Sequence, residues 1–123
     1  ADYDNDGDMD LLVVNLNGSA SLLRNDGGNR NNWLTVAPKL SGSNRDAVGA
    51  RVTVTCGTLV QIQEVAPAQG YLSQGDPRLH FGLANETAAD VVEIRWPDGS
   101  ISRREKVPAN QFLTVVKDEQ PKK

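Results

Sequence analysis

Apolar and polar residues alternate in short segments along most of the chain, and turn residues separate these segments. The clearest case is residues 50–56, where Val52, Val54 and Cys56 share one face of a strand and polar residues share the other. A Gly-Thr turn then leads into residues 59–65, which alternate in the same way. This pattern predicts a β-hairpin, because the side chains of a strand point alternately to its two faces.

The same period of two predicts strands along the rest of the chain, and long helical patterns are absent. The predicted strands span residues 11–15, 20–24, 33–37, 50–56, 59–65, 79–83, 91–96, 101–104 and 111–117. Residues 84–90 are compatible with one helical turn. Strands at nearly regular spacing with turns between them predict an all-β fold, either an antiparallel β-sandwich or a small barrel.

A polar segment divides the chain into two parts. Residues 25–32 contain no apolar side chain, which is typical of a linker. We therefore expect a loop, a hairpin and the linker in residues 1–31, and a β domain in residues 32–117. The charged residues 118–123 are expected to form a frayed tail.

Composition argues against several functional classes. The net charge is −3 and the sequence has no basic stripe, so nucleic-acid binding is not expected. The apolar runs are too short to span a membrane. Cys56 is the single cysteine, which excludes an internal disulfide. His80 is the single histidine, and no catalytic constellation can be built around it from sequence spacing, so we do not expect an enzyme.

An acidic segment near the start of the chain is the strongest sign of a bound ligand. Residues 2–10 read DYDNDGDMD, with an aspartate at every second position. Gly7 falls where the calcium loop of an EF-hand turns sharply, but Val13 occupies the place of the bidentate glutamate. An apolar run typical of a strand follows, so the segment is a calcium-type loop that opens onto a strand and not an EF-hand.

The number of carboxylates in this loop calls for a cation, and Ca²⁺ fits best because it is hard and accepts irregular oxygen coordination. The alternative is a solvated acidic turn that binds nothing. The predicted ligands are the carboxylates of Asp2, Asp4, Asp6 and Asp10 and the backbone carbonyl of Asp8. The ion would have a structural role, because it would fold the loop and fix the hairpin against the β domain.

Several motifs resemble known families. Residues 2–15, DYDNDGDMDLLVVN, resemble the end of an FG-GAP/VCBS repeat, and most of residues 32–116 resemble the ASPIC/UnbV domain. The second resemblance rests on five ordered stretches: SNRD at 43–46, VGARV at 48–52, GYLSQ at 70–74, HFGL at 80–83 and IRWPDG at 94–99. The pairing of the two is similar to the C-terminal part of larger animal and bacterial proteins.

The resemblance implies a secreted, extracellular module for adhesion or interaction that depends on Ca²⁺ and is not an enzyme. Its partner would be an extracellular protein or a glycan, and this part of the protein would be monomeric. Because only one repeat loop is present, a complete β-propeller cannot form from this sequence. The alternative is a carbohydrate-binding or enzyme-associated β module.

A covalent cross-link is a further prediction. A small secreted β domain without disulfides needs another source of stability, and an isopeptide bond between a lysine and an amide side chain is one. Lys39 lies beside loops rich in Asn and Gln, and Gln74 is the candidate partner. The measurement is the intact mass, which would fall by one ammonia if the bond forms.

Overall fold

The structure is a computed structural model that describes residues 1–68 and 70–117, so the predicted tail at 118–123 lies outside the described residues. The described part forms β-strands and one short 3-10 helix, Gly28–Arg30. The strands are β1 (Leu11–Val13), β2 (Ser21–Leu23), β3 (Asn32–Lys39), β4 (Arg51–Cys56), β5 (Leu59–Glu64), β6 (Leu79–Ala84), β7 (Ala88–Arg95), β8 (Ile101–Pro108) and β9 (Gln111–Val116).

Two sheets enclose the core. One has the strand order β5-β4-β7-β8 and the other the order β6-β3-β9. The inward residues of both sheets form one buried cluster, which includes Leu34 and Phe81 from the second sheet and Val52 and Ile94 from the first. The prediction of an all-β sandwich is confirmed, and the described strands do not close into a barrel.

The hairpin formed by β1 and β2 is a separate two-stranded sheet. Leu12 and Leu22 face each other across it and are both largely exposed. The predicted Asn-Gly turn is present, with Asn17 at a φ of 63°. The hairpin is therefore attached to the sandwich through the acidic loop that precedes it and the polar segment that follows it.

One strand pair departs from the predicted antiparallel arrangement. β3 and β9 are parallel, with Leu34 opposite Gln111 and Lys39 opposite Val116. No short turn can join parallel neighbours. The residues between them form the other sheet and β6, so alternation within each strand gave no information about this pairing.

The helical turn considered for residues 84–90 does not form. Ala84 has a φ of 52°, and the strand β7 already begins at Ala88. Ala89 is fully buried and pairs with Val107 of β8. Packing of this residue in the core and its pairing with β8 outweigh the helix preference of the local sequence.

Glutamine side chains join the two sheets along one side of the sandwich. Gln63 Nε2 donates to the carbonyl of His80 at 2.6 Å, and Gln61 Nε2 donates to the carbonyl of Gly82 at 2.7 Å. These carbonyls belong to β6, the edge strand of its sheet. The amides therefore satisfy acceptors for which no neighbouring strand supplies a backbone donor.

We expect Gln63→Leu to lower the free energy of unfolding by about 1–2 kcal/mol, because it leaves a partly buried carbonyl without its donor. Urea denaturation monitored by circular dichroism measures the change. Thr58→Leu is the control, since Thr58 is exposed in the turn between β4 and β5. Equal stability of the two variants would show that the glutamine contact contributes nothing.

Candidate metal centre

Three of the predicted calcium ligands meet in the acidic loop. Carboxylate oxygens of Asp2, Asp4 and Asp10 lie within 4.8 Å of one another. The backbone brings the ends of the loop together, because the amide of Asp10 donates to the carbonyl of Ala1 at 2.8 Å. Asp4 and Asp10, which lie two and eight residues after Asp2, thus contribute to one compact group of oxygen atoms.

Backbone amides orient the carboxylate of Asp2. Its Oδ1 accepts a hydrogen bond from the amide of Asp6 at 3.2 Å, and its Oδ2 accepts one from the amide of Gly7 at 3.0 Å. Gly7 has a φ of 98°, which explains why glycine is required at this turn. Each carboxylate oxygen has a further lone pair, so these bonds leave Asp2 able to ligate a cation.

The other two carboxylates differ in their surroundings. Asp10 accepts hydrogen bonds from the amides of Asn25 at 2.9 Å and Tyr3 at 3.0 Å, and these bonds lower its pKa. Partial desolvation, together with repulsion from Asp6 and Asp10, raises the pKa of Asp4. The negative charges of neighbouring carboxylates repel one another, and a divalent cation bound among them would remove this repulsion.

Asp6 and Asp8 lie outside this group of three. Asp6 Oδ1 accepts a hydrogen bond from the amide of Asp8 at 3.1 Å. The side chain of Asp8 is buried, with 2% of its surface exposed, and its Oδ2 accepts from the amide of Gly28 at 3.0 Å. Asp8 Oδ1 is buried and has no hydrogen-bond partner among the described residues. The carbonyl role proposed for Asp8 stays a prediction.

The polar segment that follows the hairpin belongs to the site and does not act as a free linker. Besides the amides of Asn25 and Gly28, the side chain of Asn29 contributes, because its Nδ2 donates to the carbonyl of Asp6 at 3.0 Å. The sequence analysis missed this role. The sequence did contain a signal for this role, namely a run of asparagines and glycines close to an acidic loop. Such residues supply hydrogen-bond donors and allow tight turns.

Arg78 fastens the loop to the sandwich. Its guanidinium donates to the carbonyl of Asp2 at 2.9 Å and to the side chain of Asn5 at 2.7 Å. It also binds the carboxylate of Asp76 and lies over the ring of Phe112, 5.0 Å from its centroid. Burial alone would raise the pKa of Asp76, but the hydrogen bonds from Arg78 bring it below its usual value.

An aromatic surface on the three-stranded sheet supports the loop. A Cβ added to Gly7 would lie 2.1 Å from the indole of Trp33, so the loop backbone rests directly on this ring. Trp33 contacts the rings of Phe112 and His80, with centroids 5.0 and 5.9 Å away. Burial lowers the pKa of His80, whose Nδ1 is 3.1 Å from the hydroxyl of Thr35.

Lys39 and Gln74, the two residues of the proposed cross-link, form no hydrogen bond with each other in the part of the chain that the structure describes. Lys39 Nζ lies 2.5 Å from a carboxylate oxygen of Asp46. Gln74 is exposed in the loop between β5 and β6. The isopeptide bond stays a prediction. Cys56 is buried as expected, and burial raises the pKa of its thiol.

The fold and the site define a small two-sheet β module with an acidic loop anchored to one sheet. The chain belongs to the ASPIC and UnbV family, whose sequence signature matches residues 40–122. It is 35% identical over 107 residues to Cartilage acidic protein 1 of Homo sapiens and of Mus musculus, and 34% identical to that of Xenopus tropicalis. Each match covers 84% of this chain and 16% of the relative.

The resemblance to the ASPIC/UnbV domain is thus confirmed, whereas the preceding FG-GAP repeat and the bacterial relatives stay predictions. The chain spans only 16% of the length of the curated relatives that it matches. Within the described residues, no helix has the length and hydrophobicity needed to cross a bilayer.

Proposed function

We propose that this chain is a non-enzymatic, calcium-binding interaction module of an extracellular protein. The observation that carries the proposal is the convergence of the carboxylates of Asp2, Asp4 and Asp10 within 4.8 Å. The partner would be an extracellular protein or a glycan, and the ion would have a structural role.

The donor set suits Ca²⁺ better than other common cations. It consists of carboxylate oxygens, and Ca²⁺ accepts six to eight oxygen ligands in irregular geometry. The positive side chains nearby form no direct ion pair with these three carboxylates among the described residues. Arg24 is paired with Asp26 at 2.5 Å, and Arg78 donates to the backbone carbonyl of Asp2 and not to its carboxylate. The buried, unpartnered oxygen of Asp8 in the same loop adds a further acceptor that lacks a donor.

Binding at this place would stabilise the contact between the loop and the sandwich. Asp2 is both a member of the carboxylate group and the residue whose carbonyl Arg78 holds. Gly7, whose amide binds Asp2, rests on Trp33. An ion that orders the carboxylates therefore also orders the backbone that contacts Arg78 and Trp33.

An extracellular, non-catalytic role is supported by two further observations. The relatives carry the name Cartilage acidic protein 1, which suits an extracellular protein. Calcium sites of extracellular modules commonly have dissociation constants of about 10⁻⁴–10⁻³ M, so a small group of carboxylates is sufficient for such a site. His80 is engaged with Thr35 and Trp33, which suits a structural histidine better than a proton-transfer group.

Saturating Ca²⁺ is expected to raise the melting temperature, and Asp4→Asn is expected to weaken binding about tenfold or more, because it removes one ligand and a unit charge. At a free Ca²⁺ concentration of about 100 times Kd, the folded state gains about 2.7 kcal/mol by mass action. Calorimetric titration and melting curves in Ca²⁺ or EDTA measure both effects.

Asp90→Asn is the matched control, since it removes the same charge from an exposed residue of β7 whose carboxylate accepts a hydrogen bond from the amide of Gly57. This variant should respond to Ca²⁺ as the unmodified chain does. If melting in Ca²⁺ and in EDTA coincides, or if both variants lose affinity equally, the proposed site is wrong.

A further inference from the structure

Two arginines emerge side by side on the outer face of the four-stranded sheet. Arg51 of β4 and Arg95 of β7 are directly opposite in the register of these strands. Their neighbours Val52 and Ile94 are buried in the core, so the arginines point to the solvent side. Like charges directly opposite each other in a sheet are destabilising. A negatively charged partner between the two arginines would remove this repulsion.

The protein itself supplies only part of this compensation. Glu64, the partner of Arg51 on β5, makes one contact of 3.4 Å with it, and both side chains are more than half exposed. No carboxylate among the described residues lies within 4 Å of the guanidinium of Arg95. Glu93, two residues before it, is opposite Arg103 on β8. Of the two arginines, Arg95 therefore has no ion-pair partner among the described residues, and Arg51 has one long contact with Glu64.

The arginines open into a pocket of about 220 Å³ at the end of the sheet. Its remaining walls come from Glu64, Gly49, Trp96, Pro97 and Gly99. Trp96 is 2% exposed and its indole nitrogen donates to Ser102 Oγ at 2.8 Å, so this wall is fixed. The volume is below the roughly 300–1,000 Å³ of sites for drug-sized ligands, which favours a single small group.

Besides Glu64, which lines the pocket, the carboxylate of Asp98 lies next in sequence to two lining residues, Pro97 and Gly99, and it is already neutralised. Asp98 forms an ion pair with Lys117 and accepts hydrogen bonds from the amide and hydroxyl of Ser100. These contacts hold the pKa of Asp98 far below its usual value. Its charge is therefore balanced by Lys117 and does not serve as the counterion of Arg95.

We propose that this pocket binds one oxyanion group, a carboxylate or a sulfate of an acidic ligand, between the guanidinium groups of Arg51 and Arg95. Paired guanidinium groups suit such groups because each presents a planar fork of donors. Glu64 competes for Arg51 until the ligand arrives. The site is distant in sequence from the acidic loop and unites two of the family stretches, 48–52 and 94–99.

Nuclear magnetic resonance of the ¹⁵N-labelled chain tests the proposal by titration with sodium sulfate and, separately, sodium acetate at constant ionic strength. We expect a saturable shift of the Trp96 indole signal and of the Arg95 side-chain signal. A saturable shift is needed because sulfate also stabilises proteins without binding. Stronger binding of sulfate or of acetate identifies which oxyanion the pocket prefers.

Arg95→Gln should weaken this binding about tenfold or more, since a hydrogen bond to a charged group is lost. Arg103→Gln is the matched control on the same face and should leave the affinity unchanged. Glu64→Gln should strengthen binding, because it frees Arg51. The proposal is overturned if neither anion gives a saturable shift, or if the two arginine variants lose affinity equally.

Discussion

Gly7→Ala is expected to lower the free energy of unfolding by about 3 kcal/mol and to abolish the response to Ca²⁺, because two costs add at this position. The residue has a φ of 98°, and its new Cβ would lie 2.1 Å from the indole of Trp33. The loop must then lift away from the ring. Urea denaturation measures the stability, and a red shift of tryptophan fluorescence would report the exposure of Trp33.

Gly42→Ala separates the two costs. Gly42 has a φ of 90°, similar to that of Gly7, but no atom lies within 4 Å of its added Cβ. This variant should lose only the backbone part, about 1 kcal/mol, and should keep its response to Ca²⁺. If both alanine variants are equally stable and bind Ca²⁺ equally, the loop does not rest on Trp33 as described.

The second large effect concerns Arg78. Arg78→Met should lower the free energy of unfolding by about 3 kcal/mol, because it leaves the largely buried carboxylate of Asp76 without its partner. It also removes the hydrogen bonds to Asp2 and Asn5 that hold the acidic loop. Calcium affinity should therefore fall as well, although Arg78 is not a ligand. Denaturation curves and calorimetric titration measure the two effects.

Arg104→Met is the control, because Arg104 is exposed and its only described hydrogen bond goes to the carbonyl of its neighbour Arg103. It should change stability by less than about 0.5 kcal/mol. Adding Asp76→Asn to Arg78→Met should recover part of the lost stability, since the buried charge is then absent. If it does not, the unpaired carboxylate is not the cause of the loss.

Most strands could be predicted from the sequence, because their burial alternates as their hydrophobicity does. In β4, for instance, Val52, Val54 and Cys56 are buried and Arg51 is exposed. β3 is different, since all of its central residues are buried. The acidic loop lies against the outer side of this strand at Trp33. A pattern within one strand carries no information about what will cover it.

The positions of the carboxylates could be predicted because they follow a local pattern, whereas the residue that anchors the loop could not. Alternation of aspartates within one short loop is a local signal. Three of the aspartates that it singled out, Asp2, Asp4 and Asp10, bring carboxylate oxygens within 4.8 Å of one another. The anchor at Arg78 lies 76 residues from Asp2, and nothing in its immediate sequence pointed to the loop. Asp6 stays a predicted ligand, and spacing alone does not reveal that its carboxylate also accepts a hydrogen bond from the amide of Asp8.

The parallel pairing of β3 with β9 has a consequence for biosynthesis. Partners in this pair are 77 residues apart, so one edge of β3 stays without its neighbour until β9 has left the ribosome. Contacts of such long range slow folding, and open strand edges invite association between chains. A nascent chain halted before Gln111 would therefore hold an incomplete three-stranded sheet, and this is the stage at which a chaperone would be needed most.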